Sequence, residues 1–351
     1  MTLTQLKYLI SVVDNKLNIS KAAEFSNTSQ PGISKQVKLL EDELGAYLFI
    51  RKGKKIESLT PLGERVTAYA RKILQDVENI KVIGSQISKV DEGVIKSIDE
   101  PASNYLDEWK NDSRRLITIK HLLQQSSGLD YPGFSYHPLS DFNQLMLGED
   151  VTKMTLQQKV YRKPNEVFEY NGVNPQNLGL LLQRAYGKRY ADLLSEKLWQ
   201  KIAEDDATVI LDSEKYKMPR TYCCLNATAR DWLRIGILIL NEGKLGQKQI
   251  VPKSWIQNMK IPAETNANYG YLTWLGTEHQ ENRIYNPKSS ATGFHSEPFD
   301  DPDIVYLDGF GGQRVYIIPS KELVLVRTGA TQMSWDDSVL PNIMSRALEK
   351  N

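Results

Sequence analysis

Apolar residues at helical spacing open the chain. Leu6, Leu9 and Val13 predict a first helix. A second, shorter helix is predicted over 19–25, with Asn18 able to cap its first turn. The segment NTSQ then breaks the pattern. The sequence therefore predicts two short helices followed by a tight turn.

A third helix is predicted to begin near Pro31, because the fixed φ of proline suits the first turn of a helix. Its buried stripe consists of Ile33, Val37, Leu40 and Leu44. Its outer face carries hydroxyl, amide and ammonium groups, from Ser34, Lys35, Gln36 and Lys38. Two helices joined by a tight turn, the second with such a face, are typical of a helix-turn-helix.

A strand, a basic turn and a second strand are predicted in LFIRKGKKIESLTP, after Gly45. This is the layout of a winged hairpin, with its cations at Arg51, Lys52, Lys54 and Lys55. A single surface lysine is most often only solvated. The combination with a helix-turn-helix is what favours contacts with phosphates.

A long helix follows, capped by Thr60 and with Pro61 in its first turn. Its apolar residues follow 4-3 spacing at Val66, Ala70, Ile73, Val77 and Ile80. An apolar seam of three heptads favours pairing with the same helix of a second chain. The alternative is a helix packed on its own domain.

The strings TSQPGISKQVKLLEDELG, LFIRKGKK and TPLGE resemble the N-terminal domain of LysR-type transcription regulators, most closely those of cysteine biosynthesis. The resemblance covers about residues 3–84. It implies that the third helix enters the major groove of double-stranded DNA, and that a homodimer joined through the linker helix reads two half-sites. The DNA-binding residues it implies are Ser29, Gln30, Pro31, Ser34, Lys35, Gln36 and Lys38 on the helix and Arg51, Lys52, Lys54 and Lys55 on the wing.

From about Asp91 the sequence changes character, although a LysR regulator is expected to continue into alternating strands and helices. Apolar helices are predicted around 178–182 and 233–240. Strands over 314–318 and 323–328 are joined by a proline-containing turn. The pattern predicts an antiparallel sheet flanked by helices.

The strings ITIKHLLQQSSGL, VFEYNGVNPQNLGLLL and LDGFGGQRVYIIPSKELVLVRTG resemble, in this order, the serine β-lactamase and penicillin-binding-protein superfamily, especially its aminohexanoate-oligomer hydrolases and esterases. The resemblance places Tyr170 at the position of the proton-transferring tyrosine. Gly172 replaces the usual polar third residue of that motif. The oxyanion-side motif GFGGQ consists, in this resemblance, of Gly309, Gly311, Gly312 and Gln313. Its glycines let backbone amides approach a substrate oxygen.

The nucleophile motif of this superfamily, a serine followed three residues later by a lysine, is absent from the linker helix onward. That spacing puts the amine beside the hydroxyl that it deprotonates. Ser85 and Lys89 are four apart and lie too late in the chain, while Ser126 and Ser127 align with structural residues. Losing a nucleophile costs on the order of 10⁶ in turnover, so we expect no efficient hydrolysis.

The predicted fold is multi-domain. A mainly α winged helix-turn-helix covers 1–60, and a linker and dimerisation helix covers 61–88. Residues 89–351 are predicted to form an α+β β-lactamase-like domain that lacks its N-terminal strands and nucleophile helix.

Composition supports a globular protein, with 40% hydrophobic and 25% charged residues. No run is apolar enough to cross a bilayer and no signal peptide is evident, so we expect a cytoplasmic location without membrane contact. The adjacent Cys223 and Cys224 fit a reducing compartment, because neighbouring cysteines rarely form a disulfide. The four histidines are scattered, and neither a metal nor a cofactor is predicted.

The two parts of the chain differ in net charge. Residues 1–90 hold 14 basic and 9 acidic residues, whereas the remainder holds 30 basic and 34 acidic residues. The basic part is therefore the one expected to meet a polyanion.

Three hypotheses follow. The favoured one is a LysR-type DNA-binding regulator with a degenerate, inactive hydrolase-like domain. The second is a serine hydrolase that acts on a small ester or amide. The third is a chimera of two gene fragments without a function as a whole.

Overall fold

A computed structural model describes residues 1–26, 28–53, 55–88, 94–131, 137, 140–276, 278–289 and 291–349, with side chains left out at 75, 76 and 78–88. The chain divides into two compact units, Met1–Glu92 and Gly93–Asn351.

The N-terminal unit begins with three helices, a hairpin and a long helix. These elements are α1 (Leu3–Asp14), α2 (Ile19–Phe25), α3 (Gln30–Leu44), β1 (Phe49–Lys52), β2 (Lys55–Leu59) and α4 (Pro61–Ser88). The predicted cap of α2 is confirmed, since Asn18 accepts a hydrogen bond from the Lys21 amide at 3.1 Å. Gly45 ends α3 with a φ of 64°, a left-handed conformation that suits glycine.

One hydrophobic core joins these elements. Its most buried side chains come from α1, α3 and β1, at Leu6, Leu9, Val12, Ile33, Val37, Leu40, Leu48 and Phe49. The small Ala22 and Ala23 let α2 cross closely, and the Ser11 hydroxyl of α1 donates to the Ala22 carbonyl at 3.2 Å. The α3 stripe predicted from the sequence is confirmed at Ile33, Val37 and Leu40, but it is wrong at Leu44, which is 40% exposed in the last turn of the helix.

The first turn of α4 is anchored on β1. Thr60 caps the helix as predicted, accepting a hydrogen bond from the Gly63 amide at 2.9 Å. At Gly63 the helix approaches the strand so closely that a Cβ would lie 2.0 Å from the Leu48 carbonyl oxygen. Only glycine fits there without moving the backbone.

The predicted dimer seam on α4 requires correction. Val66, Ala70 and Ile73 pack into the core of their own unit, and Ala70 is only 1% exposed. The spacing that suits a partner helix equally suits α1, against which α4 packs. Dimerisation therefore stays a prediction for the later part of α4, where Val77 is half-buried and the side chain of Ile80 lies outside the described residues.

The C-terminal unit contains nine further α-helices among its described residues, several of them short. They are α5 (Ile119–Leu123), α6 (Asp141–Leu147), α7 (Val151–Leu156), α8 (Val173–Tyr186), α9 (Tyr190–Leu194), α10 (Gln200–Ile202), α11 (Ala229–Leu240), α12 (Lys253–Met259) and α13 (Val339–Leu348). The helices predicted around 178–182 and 233–240 are confirmed as α8 and α11.

The strands of this unit include four two-residue pieces, β3 (Thr208–Val209), β4 (Leu225–Asn226), β5 (Lys244–Leu245) and β6 (Lys248–Gln249). The later strands are β7 (Trp274–Leu275), β8 (Asn282–Ile284), β9 (Thr292–Phe294), β10 (Val305–Gly309), β11 (Gln313–Ile318) and β12 (Leu323–Arg327). The main sheet is antiparallel, in the order β12-β11-β10-β7. The predicted strand pair with its proline-containing turn is confirmed as β11 and β12.

Helices cover both faces of this sheet. Val305, Val315 and Ile317 pack with side chains of α11 on one face. Tyr306, Tyr316 and Ile318 cover the other face, where Leu340 of α13 joins them. Alternation along the strands places these side chains on opposite faces, as a two-residue period requires.

The expectation of two unbonded cysteines is wrong. Cys223 and Cys224 are joined by a disulfide, in a turn where Cys224 has a φ of 69°. None of the helices in the described part of the chain combines the length and apolar content that a bilayer span requires.

Candidate nucleic-acid interface and candidate active site

The exposed surface of α3 gathers most of the predicted DNA-binding residues. Burial of Ile33, Val37 and Leu40 turns the opposite face outward. The residues exposed on that face and at the start of the helix are Ser29, Gln30, Pro31, Lys35 and Lys38. Ser34 and Gln36 are half-buried and flank the outer face. The arrangement offers donors, acceptors and cations along one helix.

The N-terminus of α3 is fixed in place. The Ser29 hydroxyl accepts a hydrogen bond from the Gly32 amide at 3.2 Å, and Pro31 lies in the first turn. The side-chain carbonyl oxygen of Gln30 accepts a hydrogen bond from the Ser20 hydroxyl at 3.2 Å. The last contact joins the helix to α2, so the two helices of the motif present a defined surface.

The wing presents lysines at its tip. Lys52 has 84% of its side chain exposed, and Lys55 is also exposed. Lys54 lies outside the described residues. Arg51 differs from these lysines because its guanidinium binds Glu41 at 2.9 Å and 3.2 Å.

Glu41 is the residue that sequence reasoning missed. Its carboxylate is nearly fully buried and accepts hydrogen bonds from the amides of Leu48 and Phe49 at 2.8 Å and 3.3 Å. Together with Arg51, these contacts fix the wing against α3. The available signal was an acidic residue directly beside the apolar stripe, next to Leu40.

In the C-terminal unit, Tyr170 lies in an aromatic cluster. Its amide donates to the Tyr285 carbonyl at 2.8 Å, and its ring lies 5.5 Å from Trp274 and 5.4 Å from Tyr285 between centroids. Burial, with the charge of Asp308, raises the pKa of Tyr170 above its ordinary value. The phenol is therefore protonated at neutral pH. Among the described residues, neither a hydroxyl nor a lysine amine forms a hydrogen bond with it.

Close packing explains why position 172, two residues after Tyr170, is a glycine. A Cβ at Gly172 would lie 2.7 Å from a methyl group of Leu145 and 3.0 Å from the ring of Tyr222. The Tyr222 hydroxyl donates to the Leu145 carbonyl at 3.0 Å, which holds the ring there. A larger side chain at this position would therefore require Leu145 or Tyr222 to move.

The GFGGQ motif forms the tight turn between β10 and β11. Gly309 pairs with Gln313 across the strands, and Gly311 and Gly312 take φ values of 70° and 80°, which favour glycine. The Gln313 side chain exchanges two hydrogen bonds with the backbone of Gly329, at 2.9 Å and 3.0 Å. Arg327 donates to the Gly312 carbonyl at 2.6 Å. The turn is therefore held on both sides.

A buried network of charges lies beside this turn. Arg314 contacts Asp308 at 2.7 Å and Asp337 at 2.5 Å, and Arg283 contacts Asp308 at 2.9 Å. The Arg283 guanidinium also lies 3.7 Å from the centre of the Trp274 ring. Two arginines and two aspartates balance in charge, which makes their burial tolerable.

The two carboxyls of this network differ in acidity. Burial opposes ionisation of Asp337, but the hydrogen bond with His295 and the charge of Arg314 hold its pKa at about 2. At Asp308, burial outweighs both arginines and raises the pKa.

The serines that follow α5 are buried. Ser126 and Ser127 are almost inaccessible, and the Ser127 hydroxyl forms a 2.6 Å hydrogen bond with Asn174 of α8. The structure thus supplies a tyrosine and a glycine turn, while no serine–lysine pair joins them in the part of the chain that it describes.

Comparison with known proteins identifies both units. The Beta-lactamase family matches residues 88–338. The chain belongs to this family. The family of bacterial regulatory helix-turn-helix proteins of the lysR type matches residues 3–64. This member of the Beta-lactamase family therefore carries a LysR-type helix-turn-helix domain at its N-terminus.

Relatives of the N-terminal part are transcription regulators. The HTH-type transcriptional regulator CysB of Haemophilus influenzae is 43% identical over 96 residues, which are 27% of this chain and 30% of CysB. CysB of Burkholderia cenocepacia is 41% identical over 93 residues, which are 26% of this chain and 30% of that regulator. The chain thus spans about a third of the length of these curated relatives.

Solved structures resemble the C-terminal unit in fold. A Bacillus anthracis protein assigned as a 6-aminohexanoate-dimer hydrolase aligns with a TM-score of 0.57 and 22% identity, over 74% of this chain and 67% of that protein. A Bacteroides dorei protein assigned as a β-lactamase aligns with a TM-score of 0.54 and 18% identity, over 76% of this chain and 82% of that protein. At these identities the likeness shows the fold alone. The architecture is a helical helix-turn-helix unit followed by a β-lactamase-like fold.

Proposed function

We propose that this protein is a sequence-specific, DNA-binding transcription regulator, and that α3 reads the DNA. The observation that carries the proposal is the outer face of α3, where Lys35 and Lys38 project from a helix whose other face is held by the core. An α-helix fits the major groove, and such side chains contact base edges and phosphates. LysR-type regulators, the class to which the N-terminal domain belongs, bind DNA.

The wing extends this surface to the phosphates. The ion pair of Arg51 with Glu41 fixes the hairpin, so we assign Arg51 to positioning the wing. Lys52 and Lys55 are exposed and face solvent, and we propose them, with Lys54, as the phosphate contacts.

We propose a homodimer as the DNA-binding species, paired through the later part of α4. Support comes from the apolar spacing, which continues after Ile73 through Val77 and Ile80. A dimer reads two half-sites related by its two-fold axis.

For the Beta-lactamase family unit we propose a role without efficient hydrolysis. The sequence from the linker helix onward lacks the serine–lysine spacing that this chemistry uses. A glycine turn alone leaves a barrier that is higher by roughly 8 kcal/mol, equivalent to a 10⁶-fold loss of turnover.

The decisive experiment is a binding selection with the full-length chain. Duplexes selected from a randomised pool serve as probes, and fluorescence anisotropy then measures Kd from about 50 to 200 mM salt. We expect one enriched motif, and we expect Kd to rise steeply with salt because phosphate contacts release counterions.

Two substitutions separate base reading from charge. Gln36→Ala is expected to relax base preference at one motif position, while Lys35→Ala weakens binding at least tenfold and reduces the salt slope by about one. Lys201→Ala, at an exposed position of the C-terminal unit, is the charge-matched control and leaves binding unchanged. Failure of the selection to enrich any motif, with the chain folded, contradicts the proposal.

A further inference from the structure

Strand β12 lies at the edge of the main sheet. Among the described strands it pairs with β11 alone, in unbroken register from Leu323 opposite Ile318 to Arg327 opposite Arg314. Within the described ranges, nothing hydrogen-bonds to the outward backbone groups of β12. An edge of this kind is a template for a further strand.

The usual protections of an edge strand are missing from LVLVR. The strand contains no proline, and its register with β11 shows no bulge. Its one charge, Arg327, points back to the β10–β11 turn, where it donates to the Gly312 carbonyl at 2.6 Å and lies 4.3 Å from the Trp335 ring centre. The edge therefore carries no outward charge to repel a partner strand.

Side chains on both faces of β12 belong to the hydrophobic clusters on the two sides of the main sheet. Val324 and Val326 belong to the cluster under α11, and Leu323 and Leu325 belong to the cluster under α13. These four side chains are only half-buried, although each belongs to a cluster that a helix covers. A further strand would cover their exposed sides.

The neighbouring end of α13 adds apolar surface. The contact of Lys321 with Glu349 at 2.5 Å brings the end of α13 next to the start of β12. Leu348, directly before Glu349, is 47% exposed. The end of α13 next to the start of β12 therefore carries an exposed leucine.

We propose that the β12 edge pairs with the β12 edge of a second copy of this chain, antiparallel and centred on Leu325. In this register Leu325 meets its own copy, Val324 meets Val326, and Leu323 lies opposite Arg327. The pairing joins two four-stranded sheets into one and leaves no further edge at the junction.

Self-complementarity favours a second copy over a foreign strand. An antiparallel strand pair about a two-fold axis uses the same patch on both chains and closes on itself. No charges are opposed in it, because both Arg327 guanidiniums are engaged within their own units. The inference concerns the C-terminal unit alone and does not depend on DNA binding.

Register-specific cross-linking of the full-length chain tests the proposal. The background is Cys223→Ser with Cys224→Ser, to which Leu325→Cys is added. Directly opposite residues of antiparallel strands have Cα atoms about 4.5 to 5.5 Å apart, within disulfide range. Mild oxidation is expected to convert most of this variant into covalent dimer on a non-reducing gel.

Leu323→Cys in the same background is the matched control. In the proposed register its two copies are offset by four residues, about 14 Å, so at least tenfold less dimer is expected. Equal cross-linking of the two variants, or none with Leu325→Cys in a folded chain, overturns the proposal. Circular dichroism checks the fold of each variant.

A second pair tests the same register without altering Leu325. Chains with Val324→Cys are mixed with chains with Val326→Cys, and the mixture is expected to give at least fivefold more dimer than either variant alone. Absence of this enrichment overturns the register, and capture by another protein's strand in place of a second copy overturns the choice of occupant.

Discussion

Glu41 illustrates how one residue determines the shape of the proposed DNA-binding surface. It belongs to α3, yet its carboxylate fixes the wing, by accepting hydrogen bonds from the Leu48 and Phe49 amides and binding Arg51. The sequence predicted the cations of the wing but not the acid that holds them. A buried carboxylate is recognisable only when its partners are known in space, and these lie seven to ten residues away.

Removal of this carboxylate is expected to be costly. Glu41→Ala leaves two backbone amides and a guanidinium without their acceptor, and we expect it to destabilise the N-terminal unit by about 3 kcal/mol. Urea unfolding followed by far-UV circular dichroism measures the loss. Arg51→Ala should cost less because the amides keep their acceptor, and Glu24→Ala, exposed on α2, should have no effect. Equal stability of Glu41→Ala and the unaltered chain would contradict this role.

At Tyr170 the resemblance to a hydrolase family and the surroundings seen in the structure lead to different expectations of activity. The resemblance assigned it to a motif, but only the structure shows its phenol among aromatic rings, with no hydrogen bond to a lysine amine within the described residues. We expect a fluorophosphonate probe to label less than about 1% of the chain, in the unaltered protein and in Tyr170→Phe alike. Mass spectrometry of the intact protein measures the label. Stoichiometric labelling that disappears in Tyr170→Phe would reverse this conclusion.

At the level of elements, the helix-turn-helix could be predicted almost completely, because its helices depend on local caps and on one apolar stripe each. What covers the apolar seam of α4 could not be predicted. A 4-3 pattern says that one face of a helix is covered, but not whether the cover comes from a second chain or from α1, as it does for Ala70. The buried charges around β10 and β11 were missed for the related reason that Arg283 and Asp337 lie far apart in the sequence.

The charge network gives an element-scale prediction with a definite pH dependence. The pKa of Asp337 is about 2 in the fold against about 3.9 when unfolded. A lowered carboxyl pKa contributes stability that is present above about pH 4 and is lost as pH falls towards 2. The raised pKa of Asp308 acts in the opposite direction, so the Asp337 contribution must be isolated by substitution.

Asp337→Asn is expected to reduce the free energy of unfolding by about 3 kcal/mol at pH 7, since it removes one of the two carboxylates that balance the buried Arg283 and Arg314. The difference from the unaltered protein should shrink as pH falls from 4 to 2. Urea titrations monitored by tryptophan fluorescence measure it, with the exposed Asp206→Asn as control. A difference that stays constant down to pH 2 would count against the assigned pKa.

At the scale of the whole molecule, the two units have separate hydrophobic cores. Among the described side chains, the N-terminal core includes residues of α4 up to Leu74, and the cores of the C-terminal unit consist of residues after 94. The change of character at about Asp91 was visible in the sequence because the motifs on its two sides belong to different families. The division of the chain at Glu92 and Gly93 lies beside it.

Separate cores predict separate unfolding. All six tryptophans lie between Trp109 and Trp335, so tryptophan fluorescence reports the C-terminal unit alone. Ile33→Ala should lower the stability of the N-terminal unit by about 2–5 kcal/mol, seen in loss of DNA binding on heating, and leave the fluorescence transition unmoved. Leu122→Ala, in the core of the C-terminal unit, should shift the fluorescence transition and leave the loss of DNA binding on heating unchanged. A fluorescence transition that shifts with Ile33→Ala would show that the units unfold together.

The extent of the N-terminal core along α4 has an evolutionary consequence. The last described side chains that join that core are Ile73 and Leu74, while the helix continues to Ser88. At 1.5 Å per residue, the fourteen residues after Leu74 extend the helix by about 21 Å. A recombination breakpoint after Leu74 leaves every described side chain of that core on one side of the junction. Such a unit is portable, and genes in which it precedes other unrelated domains should therefore be found among bacterial genomes.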